Sequence, residues 1–176
     1  MDTLNGQRAV YHLNEAAFEA GPSRSTDYTS TFANTATPII VDNGSSRFRA
    51  GWASEHATGP RLDVENVISR YKDRKSNKNI TLAGAQVYAD TVSKQSAKTP
   101  YENDVVCNFD AMETMLDYAF VNLGIDGSQA IQHPVVMTEV LCNPAYSRSR
   151  TFQTLLTPCG LRLILPPLPS HVGTAV

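Results

Sequence analysis

The sequence predicts an α/β domain, a mixed sheet with flanking helices, preceded by a disordered N-terminal extension. Three observations predict it. The β-branched residues Ile39, Ile40 and Val41 make an apolar strand that runs into Asp42-Asn43-Gly44-Ser45 and out again through Phe48 and Trp52. Phe109, Met112, Met115, Leu116, Ala119, Phe120 and Leu123 recur at three- and four-residue steps, the spacing of one helix face. Residues 134–138 form a continuous apolar run of strand length, the pattern of a strand covered on both faces by helices.

Residues 1–37 read as a flexible extension. Their Ser/Thr-rich composition offers too little apolar surface to offset the entropy of ordering, unless a partner supplies a groove for Tyr11, Leu13 and Phe18. The hairpin of residues 38–52 follows, and Asn43-Gly44 supplies residues that tolerate the positive φ of a tight turn. Such a turn has a chemical use. Glycine and small hydroxyl residues let backbone N–H groups converge on an anion, and an aspartate at the strand end holds a hydrated divalent cation. The plainer alternative is a hairpin that only joins two strands.

Residues 64–70 and 80–82 read as short strands flanking a basic turn. Asn108 or Asp110 caps the helix that follows, and Gly124 stands just past its end. Residues 146–156 form a further helix. Met112, Met115 and Met137 fall on the expected buried faces and read as packing groups. Residues 157–176 show neither helical nor strand period and carry four prolines. Pro166-Pro167-Leu168-Pro169 has the composition of a polyproline ligand without flanking support for one.

At 176 residues and 41% hydrophobic content, the chain is long enough to bury a sizeable core. A formal charge of −2 argues against a generally sticky nucleic-acid binder. Cys107, Cys142 and Cys159 are odd in number and lack a Cys-x-x-Cys pair, so neither a zinc site nor a disulfide framework is expected, and a reducing compartment is. No apolar run has the length to cross a bilayer, and the N-terminus lacks the pattern of a secretory signal, so an intracellular protein without membrane contact is expected. His12, His56, His133 and His171 show no metal-ligand spacing, and Ser45 is in no Gly-x-Ser-x-Gly elbow. His133 before Pro134 reads as the residue that introduces a strand.

Asp42-Asn43-Gly44-Ser45 followed by Arg49-Ala50-Gly51-Trp52 resembles the first phosphate loop of the actin superfamily. The resemblance continues in order. Val105-Val106-Cys107-Asn108-Phe109-Asp110-Ala111-Met112-Glu113 is similar to the actin strand-to-helix passage. His133-Pro134-Val135-Val136-Met137-Thr138-Glu139 is similar to its next core strand, and Asn143-Pro144 to the turn after it. Residues 45–51 and 70–79 resemble the actin-related protein 5 branch and are unlike conventional actin. The resemblance covers residues 38–156 and implies a partial actin-like (ribonuclease H-like) N-terminal lobe. Residues 157–176 are a proline-rich stretch unlike the family, which reads as a truncated or shifted reading frame in preference to an isoform tail.

By this resemblance the cofactor-binding residues are Asp42, Asn43, Gly44, Ser45, Ser46 and Arg49. Asp42 orients metal-bound water. Gly44, Ser45 and Ser46 offer N–H or hydroxyl groups to phosphate, and Arg49 replaces the family's lysine near the β- and γ-phosphates. Ser46 stands where actin has glycine, which restricts the backbone. Arg49 exchanges a compact ammonium for a planar fork. The implied cofactor is ATP or ADP with Mg2+ in the full-length family member, and this fragment is expected not to bind it. The family's water-positioning glutamine and second phosphate hairpin have no counterpart after residue 156, so no catalytic residue and no ATPase activity are expected.

The family further implies a non-catalytic subunit, or fragment of one, in a nuclear ATP-dependent chromatin remodelling complex of the INO-eighty type. It would act in nucleosome remodelling, transcription regulation and DNA repair through contacts with other subunits, without a small-molecule substrate. Arg70, Lys72, Arg74, Lys75 and Lys78, around Tyr71 in an expected exposed turn, are candidate contacts to nucleosomal DNA. The alternatives are an actin-like ATP-binding protein or ATPase of the sugar-kinase/actin superfamily, and a cytoskeletal actin-like protein. An incomplete lobe is expected to expose apolar sheet and to depend on a partner.

Overall fold

A computed structural model describes residues 36–54, 59–74, 77–125 and 133–156. The expected extension up to residue 35, Lys75 and the proline-rich residues 157–176 lie outside the described residues. Strands β1 (Ile39–Asn43), β2 (Arg47–Trp52) and β3 (Leu62–Glu65) form an antiparallel meander, and β9 (Val135–Met137) pairs in parallel with β1. The sheet order is β3-β2-β1-β9, a mixed sheet as expected.

A second sheet holds β4 (Ile68–Lys72) between β5 (Asn79–Ala83) and the two-residue β6 (Ala97–Lys98). A 3₁₀ turn at Gly84–Tyr88 and the short helix α1 (Thr91–Gln95) connect β5 to β6. A small hairpin, β7 (Tyr101–Glu102) with β8 (Val105–Val106), leads into α2 (Phe109–Asn122), and α3 (Ala145–Leu156) follows β9.

The expected single strand over residues 64–70 is a correction. It is broken at Asn66-Val67, where the Asn66 N–H donates to the Ser46 carbonyl at 3.0 Å and the Val67 N–H to the Glu65 carbonyl at 2.9 Å. The first bond continues the β2–β3 register by one rung and the second closes a three-residue turn, so the chain leaves one sheet after Asn66 and joins the other at Val67, whose carbonyl accepts from the Gly84 N–H at 2.9 Å.

Helix α2 begins where the sequence places it. The Asn108 side chain accepts from the Ala111 N–H at 3.1 Å and satisfies one of the orphan donors of the first turn. Gly124, with φ of +84°, lies beyond its end. Met112, Met115 and Ala119 are fully buried against Ile39, Val41, Phe48, Ala50 and Trp52, which makes one apolar core between helix and sheet. Met112, Met115 and Met137 are packing groups in that core.

The expectation of a sheet covered on both faces is not met at β1, where Ile39 and Val41 are fully buried but Ile40 is 46% exposed. Strand β9 alternates in the same way, with Val135 and Met137 buried and Val136 half-buried. His133 does introduce this strand: its Nδ1 donates to the Thr37 carbonyl at 3.0 Å, and its ring meets Trp52 edge-on at 4.9 Å.

Candidate functional site

Two parallel strands, β1 and β9, finish side by side, with Asp42 near the end of β1 next to Thr138 just past β9. The carboxyl ends of parallel strands are where open α/β sheets place their ligands, because the chain departs there and leaves side chains and amides uncovered. The Thr138 hydroxyl donates to Asp42 Oδ1 at 2.8 Å and accepts from the Asn43 N–H at 3.2 Å, which ties the two strand ends together. Arg49, opposite Asp42 in the β1–β2 register, reaches Asp42 Oδ2 with Nη1 at 3.0 Å and Asp63 Oδ1 with Nε at 3.3 Å.

The turn between β1 and β2 is not the tight positive-φ hairpin expected from Asn43-Gly44. Asn43, the last residue of β1, pairs with Phe48, residues 44–46 connect the strands, and neither Asn43 nor Gly44 has a positive φ. Glycine suits position 44 for a different reason: a Cβ there would stand 3.0 Å from the Arg47 carbonyl oxygen, a tight contact. The same approach brings the Gly44 N–H to that carbonyl at 3.1 Å.

Two of the expected phosphate residues therefore have other partners. The Gly44 amide closes the loop. Asn43 is buried, 6% exposed, and its Oδ1 accepts from Asn66 Nδ2 at 2.9 Å. Asn66 also donates to the Gly44 carbonyl at 2.8 Å, and the Tyr101 hydroxyl donates to the Asn43 carbonyl. Asn66 and Tyr101 thus brace the loop from outside the hairpin. Sequence reasoning missed both, since they lie 23 and 58 residues away and no local pattern marks them.

Ser45 and Ser46 are exposed at the loop tip and are the residues there whose donors remain for a ligand. With Arg49 as the cation, this donor set fits a phosphoryl group, and Asp42 beside Thr138 fits the role of orienting metal-bound water. A nucleotide, if bound, would supply that phosphoryl group, and these residues would hold and orient it. Among the described residues no group of His, Cys, Asp and Glu has the arrangement of a direct metal site.

Arg47 donates to Asp63 Oδ1 at 2.6 Å and holds that carboxyl below the usual range, with Arg49 adding to the effect. Arg49 is held further toward its charged form by its bond to Asp42 and by the Asp63 charge. Burial pushes the Tyr101 hydroxyl up to about 12, with the Asp42 and Asp104 charges acting in the same direction.

Beside the strand ends lies a shallow open cleft bounded by Asn43, Tyr101, Thr138, Asn143 and the apolar Val106, Met137, Phe152 and Leu155. An ion pair of Arg148 Nε with Glu139 Oε1, at 2.7 Å, is next to it.

The basic residues do not form one group. Lys72, Arg74 and Lys78 are exposed around the turn closed by the Asp73 N–H and the Lys78 carbonyl at 2.9 Å. Arg70 lies inside β4, outside that turn, and its guanidinium donates to Thr114 on α2. Tyr71 is likewise in β4, with its hydroxyl 3.3 Å from Asp90 Oδ2. Strand alternation sends the Arg70 side chain toward the helix, which a reading of charge alone does not capture.

A mixed sheet with a helix-packed core and this turn at its carboxyl edge define an actin-type lobe. Residues 33–163 match the Actin family, and the chain belongs to that family. It is 40% identical over 148 residues to the actin-like protein arp5 of Schizosaccharomyces pombe, covering 83% of this chain and 19% of that protein. Actin-related protein 5 of Arabidopsis thaliana is 37% identical over 150 residues, or 82% of this chain and 20% of the relative. The human actin-related protein 5 is 31% identical over 127 residues, or 70% and 21%. The resemblance to the actin-related protein 5 branch is borne out. The chain spans about a fifth of the length of these relatives.

Proposed function

We propose that this chain acts as a non-catalytic actin-related subunit, or part of one, of a nuclear ATP-dependent chromatin remodelling complex. The observation that carries the reading is its identity to proteins named actin-related protein 5 in a fungus, a plant and an animal. The actin-like lobe docks on other subunits and helps couple the motor ATPase to nucleosome movement, with Lys72, Arg74 and Lys78 as candidate DNA contacts. Hydrolysis of ATP needs groups on both sides of the γ-phosphate, and one hairpin supplies one side.

The test is affinity purification of the tagged chain from nuclear extract with mass spectrometry of what accompanies it. Recovery of the subunits of a remodelling ATPase is expected. Recovery with actin filaments, or alone, overturns the assignment. A second reading, an actin-like ATP-binding protein, is favoured by Ser45, Ser46, Arg49 and Asp42 at the carboxyl edge of the sheet. ATP turnover that survives purification and vanishes in Asp42→Ala would establish it as an ATPase.

A further inference from the structure

The face of the first sheet opposite the core carries a cross-strand row of charges. Asp42 stands opposite Arg49, and Arg49 opposite Asp63, so three consecutive strands place these side chains in line. Arg47 completes the set through its bond to Asp63 Oδ1 at 2.6 Å and a second bond to the Asp63 carbonyl at 3.1 Å. Two arginines and two aspartates balance, and each side chain is about 40% exposed.

We propose that Asp63 is a built-in competitor for the phosphoryl group at the hairpin: it shares the Arg49 guanidinium with Asp42, and a phosphate-bearing ligand that takes the Nε edge of that guanidinium displaces it. The inference rests on the phosphate-hairpin reading of residues 42–49 and is independent of the assignment to a remodelling complex.

The chemistry of the exchange is direct. The planar guanidinium fork pairs with a carboxylate or a phosphoryl group in the same geometry, so one replaces the other without a change in the sheet. Ion pairs this exposed are held weakly, which keeps the exchange reversible. Arg47 has a separate part. It stays on Asp63 when Arg49 leaves, so the carboxylate is not left unpaired, and it shares the same Oδ1 that Arg49 uses. Removing Arg47 would therefore leave Asp63 to Arg49 alone and tighten its hold. The two neighbours have opposite expected effects on ligand affinity, which a merely structural role for either would not produce.

The experiment is calorimetric titration of the full chain with Mg-ATP, in parallel with Asp63→Asn, Arg47→Gln, Arg49→Gln and the Asp63→Asn/Arg49→Gln double variant. Circular dichroism checks each fold. Asp63→Asn is expected to tighten binding roughly two- to fivefold and Arg47→Gln to weaken it by roughly twofold. The gain from Asp63→Asn should disappear when Arg49 is already Gln. Affinity that is unchanged or lower in folded Asp63→Asn, or an equal gain in the double variant, overturns the inference. Binding that is lost in Arg49→Gln but indifferent to Asp63 overturns the inference and leaves the phosphate hairpin standing. No Mg-ATP binding by any variant overturns both, and neither result bears on which subunits the chain accompanies.

Discussion

The two faces of the β3-β2-β1-β9 sheet are built from the same strands and obey different physics. On one face Ile39, Val41, Phe48 and Ala50 are at most 1% exposed and pack on α2. On the other, Asp42, Arg49, Asp63 and Arg47 hold one another at about 40% exposure. Burial of apolar area is insensitive to exact partner, whereas exposed charges depend on which opposite charge is opposite in register. The comparison teaches that the apolar core and the exposed ion pairs reside on opposite sides of strands three to six residues long.

The largest effect should come from the core face. Phe48→Ala is expected to cost about 3–5 kcal/mol, because it removes a fully buried ring and leaves a cavity between β2 and α2. Urea unfolding followed by Trp52 fluorescence checks it, and a loss under about 1 kcal/mol would mean that the apolar face is not what holds the sheet.

Tyr101, bonded to the Asn43 carbonyl, lies between the two regimes. Tyr101→Phe should cost about 1 kcal/mol at neutral pH, the net value of one hydrogen bond. The fold binds the Tyr101 proton more tightly than the unfolded chain does, since its ordinary value of 10.0 rises to about 12. Its contribution is therefore complete below pH 10 and is lost as pH rises toward 12. The Tyr101→Phe chain should show a shallower alkaline loss of stability, and an unchanged slope would place the phenol in water.

The smallest stability effect should belong to the charged face. Arg47→Ala is expected to leave the unfolding midpoint where it is, at low and at high salt, because its pairing with Asp63 is exposed on both sides. A clear salt-dependent drop would show the charge row to be structural and would erase the contrast between the faces.

Local patterns carry much of the fold. The β1–β2 hairpin, helix α2 with its Asn108 cap, and helix α3 follow from apolar spacing and capping chemistry within a few residues of chain. The break at Asn66-Val67 does not, because it depends on where two sheets meet: Asn66 is still bonded to Ser46 of the first, and Val67 already to Gly84 beside the second. The site divides similarly. Ser45, Ser46, Asp42 and Arg49 are recognisable from the motif, while the commitments of Asn43 to Asn66 and of Arg70 to Thr114 are not.

The sequence by itself determined the actin-like pattern, the turn that offers small polar residues at a strand end, and the apolar face of α2. These rest on short-range geometry, the periods of strand and helix and the steric freedom of particular residues. Tertiary structure alone decided that Gly44 approaches the Arg47 carbonyl closely, that Asn43 is buried, and that Arg49 lies between Asp42 and Asp63. Each depends on residues far apart in the chain brought to one strand register, and hydrogen bonds and ion pairs form at distances that only the folded sheet fixes.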